Sequence, residues 1–140
     1  MIFDRWTYAA CVIGCHDGDT IRAEINLGFD VRFTATLRLL GIQAPEVSGP
    51  GVTKAEKAAG AQATTALLGL IVSGDPAPVV YVVTSKDAKE GRGRYLARVF
   101  VDRPDAPLDV CAELVRLGHA TPYDGKGKAP KWTPAGWVRS

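Results

Sequence analysis

The sequence predicts an α+β fold: a five-stranded β-barrel of the OB type carrying two to three helices. Three observations point to it. Three consecutive strand-like segments are joined by tight turns, a capped Ala- and Leu-rich helix follows, and two more strands and a short helix complete the order. A length of 140 residues suits one domain, and 46% hydrophobic with 23% charged residues is an ordinary globular composition. Collagen, intrinsic disorder and a disulfide miniprotein are excluded on the same figures. The apolar stretch 66–72 falls far short of the roughly 18 residues a membrane helix needs.

Each element has its own signal. Residues 7–15 are mostly apolar and read as the first strand, and Asp17-Gly18 is a turn dipeptide. Ile21, Ala23, Ile25 and Leu27 then alternate with Arg22, Glu24 and Asn26, the pattern of a half-buried strand. Gly28 and Asp30 mark the next turn. Val31, Phe33, Ala35, Leu37 and Leu39 alternate with polar residues, the cleanest period of two in the chain. Leu39 and Leu40 break that phase, so a bulge or bend is expected at Gly41. Residues 48–52 form a Gly-Pro loop, and Thr53-Lys54-Ala55-Glu56 is a capping box opening a helix to about Leu70. Residues 73–78 break the chain, 79–84 form a strand, 86–93 a charged loop and 94–101 another strand. Asp109 caps a short helix ending at Gly118. From Thr121 no periodicity remains. The expected division is a barrel domain over 1–120 and a loosely packed tail over 121–140.

Charge divides unevenly. Residues 1–85 carry 6 Lys/Arg against 8 Asp/Glu, and residues 86–140 carry 11 against 7. Carboxylates therefore come mainly from the first half and phosphate-binding cations from the second. Cys11 and Cys15, four apart on a strand, stand about 13 Å from one another, too far for a disulfide. With Cys111 they read as three buried thiols in a reducing compartment. No secretion signal opens the chain, which predicts a cytoplasmic protein as written, or a secreted one if the chain is truncated. A monomer without membrane contact is expected.

Three segments carry chemistry. His16-Asp17-Gly18-Asp19-Thr20 is either a self-capping hairpin turn or a hard-cation site built on paired aspartates. Arg38 to Glu46 is either a strand ending in a Pro-bounded loop or an arginine and a glutamate set at the barrel's lip. In Gly91-Arg92-Gly93-Arg94, glycines flank arginines, which makes either a basic turn or a backbone that can approach phosphate. Further on, Tyr123, Lys126, Lys128, Lys131 and Trp132 interleave aromatics with cations, as single-strand binding surfaces do. The favoured alternative is a solvated tail with Trp132 and Trp137 folded back on the barrel.

Taken in order, Asp17–Thr20, Arg38–Glu46, Gly93–Ala97 and Leu114-Val115-Arg116-x-Gly118-x-Ala120 resemble the motifs of the staphylococcal nuclease (thermonuclease) family. The resemblance runs from about Cys11 to Ala120. It implies an SNase-like OB barrel that hydrolyses DNA and RNA phosphodiesters with Ca²⁺. Carried over by motif position, Asp19 would be a metal ligand, Asp17 would support it, and the Ala44 carbonyl would be another ligand. Glu46 would be the general base, and Arg38 and Arg94 would hold the phosphate and its transition state. Arg92 and Tyr123 are candidate substrate contacts, although no tyrosine here falls in register with those the family places near the nucleotide. One position departs: Gln43 stands where the family has a metal-binding aspartate, so a neutral amide oxygen takes that ligand's place and weaker Ca²⁺ binding is expected. The alternative reading is an OB-fold module that binds nucleic acid with weak or no turnover.

Overall fold

The computed structural model describes residues 6–72, 79–89 and 95–139. Strand β1 (Thr7–Asp17) turns through Gly18 and Asp19 into β2 (Thr20–Gly28), which turns through Phe29 and Asp30 into β3 (Val31–Leu39). The chain bends at Gly41 (φ +86°), and a two-residue strand, β4 (Ile42–Gln43), leaves the sheet. Helix α1 (Lys54–Val72) follows, then β5 (Val80–Lys89) and β6 (Tyr95–Val101). The order β3-β2-β1-β5-β6 is closed by parallel pairing of Leu37–Leu39 with Tyr95–Ala97, which makes a five-stranded barrel. With the helices on one polypeptide, this is an OB-fold-like α+β architecture. A two-residue strand, β7 (Leu108–Asp109), extends the edge of β6 and leads into α2 (Val110–Arg116).

Alternation is what makes the barrel bury a core. Ile21, Ala23 and Ile25 point inward from β2, Leu37 and Leu39 from β3, Val80 and Val82 from β5, and Ala97, Val99 and Val101 from β6. Leu67 and Ile71 of α1 and Val110 and Leu114 of α2 cover this core. The second helix is held at both ends. Asp109 accepts from the Ala112 N–H and pairs with Arg98 at 3.0 Å, while Gly118 and His119 return N–H groups to Val115 and Leu114 in a Schellman stop.

Four features differ from the sequence reading. Val31 and Phe33 are 50% and 42% exposed, and Leu27 is exposed too, because β1 pairs with β2 only as far as Ile25. Beyond that point the β2–β3 hairpin runs on without β1 beside it, and Phe33 meets the Tyr95 ring edge-on at 5.9 Å. Its tip, Phe29, is fully exposed. Residues 86–89, read as loop, continue β5, since pairing with β6 resumes at Lys89 opposite Tyr95 after a register shift. All three cysteines are free, as expected, but only Cys111 is buried; Cys11 lies on the outer face of β1 and is exposed, and Cys15 is half-buried. Finally, the aperiodic tail holds short strands. Strand β8 (Thr121–Pro122) pairs with β4, and β9 (Lys131–Thr133) forms a hairpin with β10 (Gly136–Val138) that sets Trp132 opposite Trp137. These strands are too short for a hydrophobic period to register. Among the described residues no helix is long and apolar enough to cross a membrane.

The first turn packs closely against α1. A Cβ added at Gly18 would stand 2.6 Å from the Ala63 Cβ and 3.0 Å from the Ala44 Cβ. Gly18→Ala is therefore expected to destabilise the protein by about 1–3 kcal/mol, the usual range for overpacking, read as a lower urea midpoint with an unchanged m-value.

Candidate functional site

The Asp17–Thr20 turn sits at one end of the barrel with its polar side chains turned inward. Asp17 and Asp19 are 6% and 4% exposed, and Thr20 is buried with them. Asp17 Oδ1 accepts from the Asp19 N–H at 3.3 Å, the local bond that favours aspartate in such a turn. The Asp19 carbonyl accepts from the Leu39 N–H at 2.8 Å, which ties the turn to the end of β3. Across the cleft, Asp19 Oδ2 accepts from the Ala44 N–H at 2.8 Å and faces Arg38 Nη1 at 3.3 Å. Thr20 Oγ1 donates to the other carboxylate oxygen at 3.2 Å. A single carboxylate thus joins the turn, the third strand and the loop after β4.

Arg38 lies opposite Thr20 in the sheet. Nη1 also donates to the Leu39 carbonyl at 3.2 Å, and Nη2 donates to Gln43 Oε1 at 2.7 Å. Gln43 Nε2 in turn donates to Glu46 Oε1 at 3.3 Å. Chemistry dictates this orientation of the amide: a guanidinium can only donate and an ionised carboxylate can only accept. Gln43 therefore bridges the arginine to the glutamate, and its oxygen is engaged by Arg38. Aspartate at this position could accept from Arg38 but could not donate to Glu46.

The loop carrying Glu46 is anchored from α1. Thr53 Oγ1 accepts from the Glu56 N–H at 3.1 Å, as a capping box requires. The Glu56 carboxylate, however, accepts from the Glu46 N–H at 3.1 Å and so reaches into the site loop. Gly60 permits this approach, because a Cβ there would lie 2.8 Å from the Pro45 carbonyl oxygen. Sequence reasoning gives Glu56 to the helix alone; its place in a capping box is the one signal of a constrained carboxylate.

Burial dominates the electrostatics. It pushes the Asp19 carboxyl up to about 7, helped by a side-chain hydrogen bond with Asp17 and by that neighbour's charge, against the lowering pull of Arg38 and of the Ala44 N–H. Glu46 is exposed as a residue, yet partial desolvation of its carboxyl raises its pKa. The charges of Asp19 and Glu56 add to that, while Arg38 and Gln43 oppose it. The site holds more negative charge than Arg38 alone offsets among the described residues.

Asp17, Asp19, Arg38, Gln43 and Glu46 line one cleft of about 510 Å³, together with His16, Leu40, Ser48, Leu96, Tyr123, Asp124 and others. The Tyr123 N–H donates to the Gly41 carbonyl at 2.8 Å, which brings the C-terminal segment to the cleft's rim. Asp17, Asp19, Arg38, Gln43, Glu46 and Tyr123 therefore meet in one place, with Ala44 buried beside Asp19. Arg92 and Arg94 lie outside the described residues. His16 and Asp124, given no role from sequence, also line the cleft.

The carboxylates of the cleft offer oxygen donors, the kind hard cations such as Ca²⁺ take, and His16 adds an imidazole at the lining. Both Asp19 carboxylate oxygens are engaged by Thr20, the Ala44 N–H and Arg38. Among the described residues no group of three or more His, Cys, Asp or Glu side chains is arranged to hold a metal ion. Compared with known families and curated proteins, the chain matches no family model and has no significant match among those proteins.

Proposed function

We propose that this protein hydrolyses phosphodiester bonds of DNA or RNA with Ca²⁺, as its resemblance to the staphylococcal nuclease family implies. The observation that carries the reading is the chain of contacts Asp19, Arg38, Gln43 and Glu46 within one cleft. An anion-binding guanidinium and a candidate base converge there beside a pair of buried carboxylates. Asp19, supported by Asp17, would hold Ca²⁺. When bound, Ca²⁺ supplies positive charge that neutralises an anionic phosphodiester and lowers the cost of attack on it.

The side chains supply the rest. Glu46 accepts a proton from the attacking water, a task its raised pKa suits, since a base works best with a pKa near the working pH. Arg38 offers a planar pair of donors to two phosphate oxygens and stabilises the charge that grows on them. To do so it exchanges its bond to Gln43 for one to substrate. Arg94 would be the second guanidinium in this scheme. The test is cleavage of single-stranded DNA by purified protein, with Ca²⁺ and with chelator. Turnover that requires Ca²⁺ supports the reading, and no turnover over a wide range of Ca²⁺ and Mg²⁺ overturns it.

One observation favours the second reading, an OB-fold module that binds nucleic acid without cutting it. Gln43 is neutral and its oxygen is taken by Arg38. Gln43→Asp adds a carboxylate beside Asp19 and Glu46, so the expected result is at least about tenfold tighter Ca²⁺ binding by calorimetry, roughly 1.4 kcal/mol. Unchanged affinity would remove position 43 from the metal site.

A further inference from the structure

The cleft does not end at Tyr123. A second groove of about 370 Å³ adjoins it, sharing Tyr123 and Asp124, and is completed by Pro122, Lys126, Lys128, Pro130 and Arg139. Its walls are built, not frayed. The Tyr123 hydroxyl donates to the Gly127 carbonyl at 2.8 Å, and Asp124 Oδ1 accepts from the Lys126 N–H at 2.8 Å, which closes the loop on itself. Arg139 donates to the Pro122 carbonyl at 3.1 Å and to Thr121 Oγ1 at 2.8 Å, so the end of the hairpin is pinned to β8. Strand β8 is in turn paired with β4, whose Gln43 touches both Arg38 and Glu46.

The chemistry of this groove differs from that of the cleft. Three cations line it against one carboxylate, Asp124. Arg139 is occupied by backbone and hydroxyl oxygens, whereas Lys126 and Lys128 are exposed and no carboxylate among the described residues pairs with them. Two lysines held in one groove beside a cleft with an anion-binding guanidinium provide what a chain of phosphates needs and a lone nucleotide does not. Exposed lysines along a groove that leads away from the cleft are the arrangement by which proteins follow the backbone of a single strand.

We propose that this groove binds the backbone of a single-stranded polynucleotide, with Lys126 and Lys128 contacting phosphates next to the bond held in the cleft. The proposal rests on the phosphodiesterase reading and names its substrate as a polymer. The protein would then prefer long strands to dinucleotides and bind them in a salt-dependent way.

The test is fluorescence anisotropy with labelled dT20 and dT2 in Ca²⁺, using Glu46→Gln protein to hold the strand uncut, with and without Lys126→Gln/Lys128→Gln. The expected result is about tenfold weaker dT20 binding by the double lysine variant. Its log-log salt slope should be shallower by about 1.4, or 0.7 for each phosphate that a lysine no longer neutralises. Arg32→Gln removes the same kind of charge from the β2–β3 hairpin, outside both cavities, and should leave dT20 affinity unchanged. Equal dT20 affinity with and without the lysines, or no dT20 binding at all, overturns the proposal. A lysine-dependent affinity in a protein that never cleaves DNA overturns the nuclease reading and leaves the groove standing. Cleavage with no lysine dependence does the reverse.

Discussion

Glu46→Gln is expected to lower kcat on single-stranded DNA by about 10²–10⁴-fold, the range a general base contributes, while DNA binding persists. The substitution keeps the side chain's length and leaves the backbone N–H of residue 46 to bond Glu56 as before. What it removes is the group that can take a proton. Binding should survive because Arg38 supplies the anion contact and is separated from Glu46 by Gln43. The wild-type pH profile should show an acidic limb above the ordinary range for glutamate, since desolvation and the charges of Asp19 and Glu56 raise this carboxyl. Glu56→Gln removes one of those charges and is expected to move that limb toward lower pH. A Glu46→Gln protein that retains full kcat would eliminate residue 46 as the base.

Asp19→Asn is expected to change the pH dependence of stability. The carboxyl titrates near 7 in the fold against an ordinary 3.8. Between those values the folded protein keeps a proton that the unfolded chain has released. The Asp19 contribution to stability is therefore full below about pH 4, falls as pH rises, and is lost above about 7. Each unit of separation between the two states is worth about 1.4 kcal/mol. The asparagine variant lacks this titration. Its stability relative to wild type should rise between pH 4 and pH 8, read from urea midpoints in chelator. Ca²⁺ at pH 8 should then stabilise the wild type and leave the variant unmoved, because binding to the folded state alone adds stability. Parallel pH curves for the two proteins would mean that Asp19 is charged at little cost.

Much of this architecture is legible from residue order. The barrel follows from apolar alternation because burial of one face of each strand enforces a period of two. Ile21, Ala23 and Ile25 obey it, as do Leu37 and Leu39. Alternation cannot tell where the second layer ends, which is why Val31 and Phe33 emerge exposed. The turn aspartates, Arg38, Gln43 and Glu46 are identifiable as types at particular spacings. Their mutual contacts are not, since these depend on Gly18 and Gly60 letting α1 approach and on which end of an amide faces which charge. Gln43 stands out in sequence as a missing charge, and in the fold it is a bridge. The tail gives no period because its order comes from single contacts such as those of Arg139, not from a repeating apolar face.

The Glu56 contact sets a thermal vulnerability. In a full capping box this carboxylate would return to the N-terminal N–H of its own helix and secure the first turn. Here it is spent on the loop that carries Glu46, so the start of α1 and the position of Glu46 form one local unit. Helix ends open at far lower free energy than cores do. Heating should therefore unfasten residue 46 while the barrel still holds, and the proposed cleavage activity should fade reversibly at temperatures below the global melting transition.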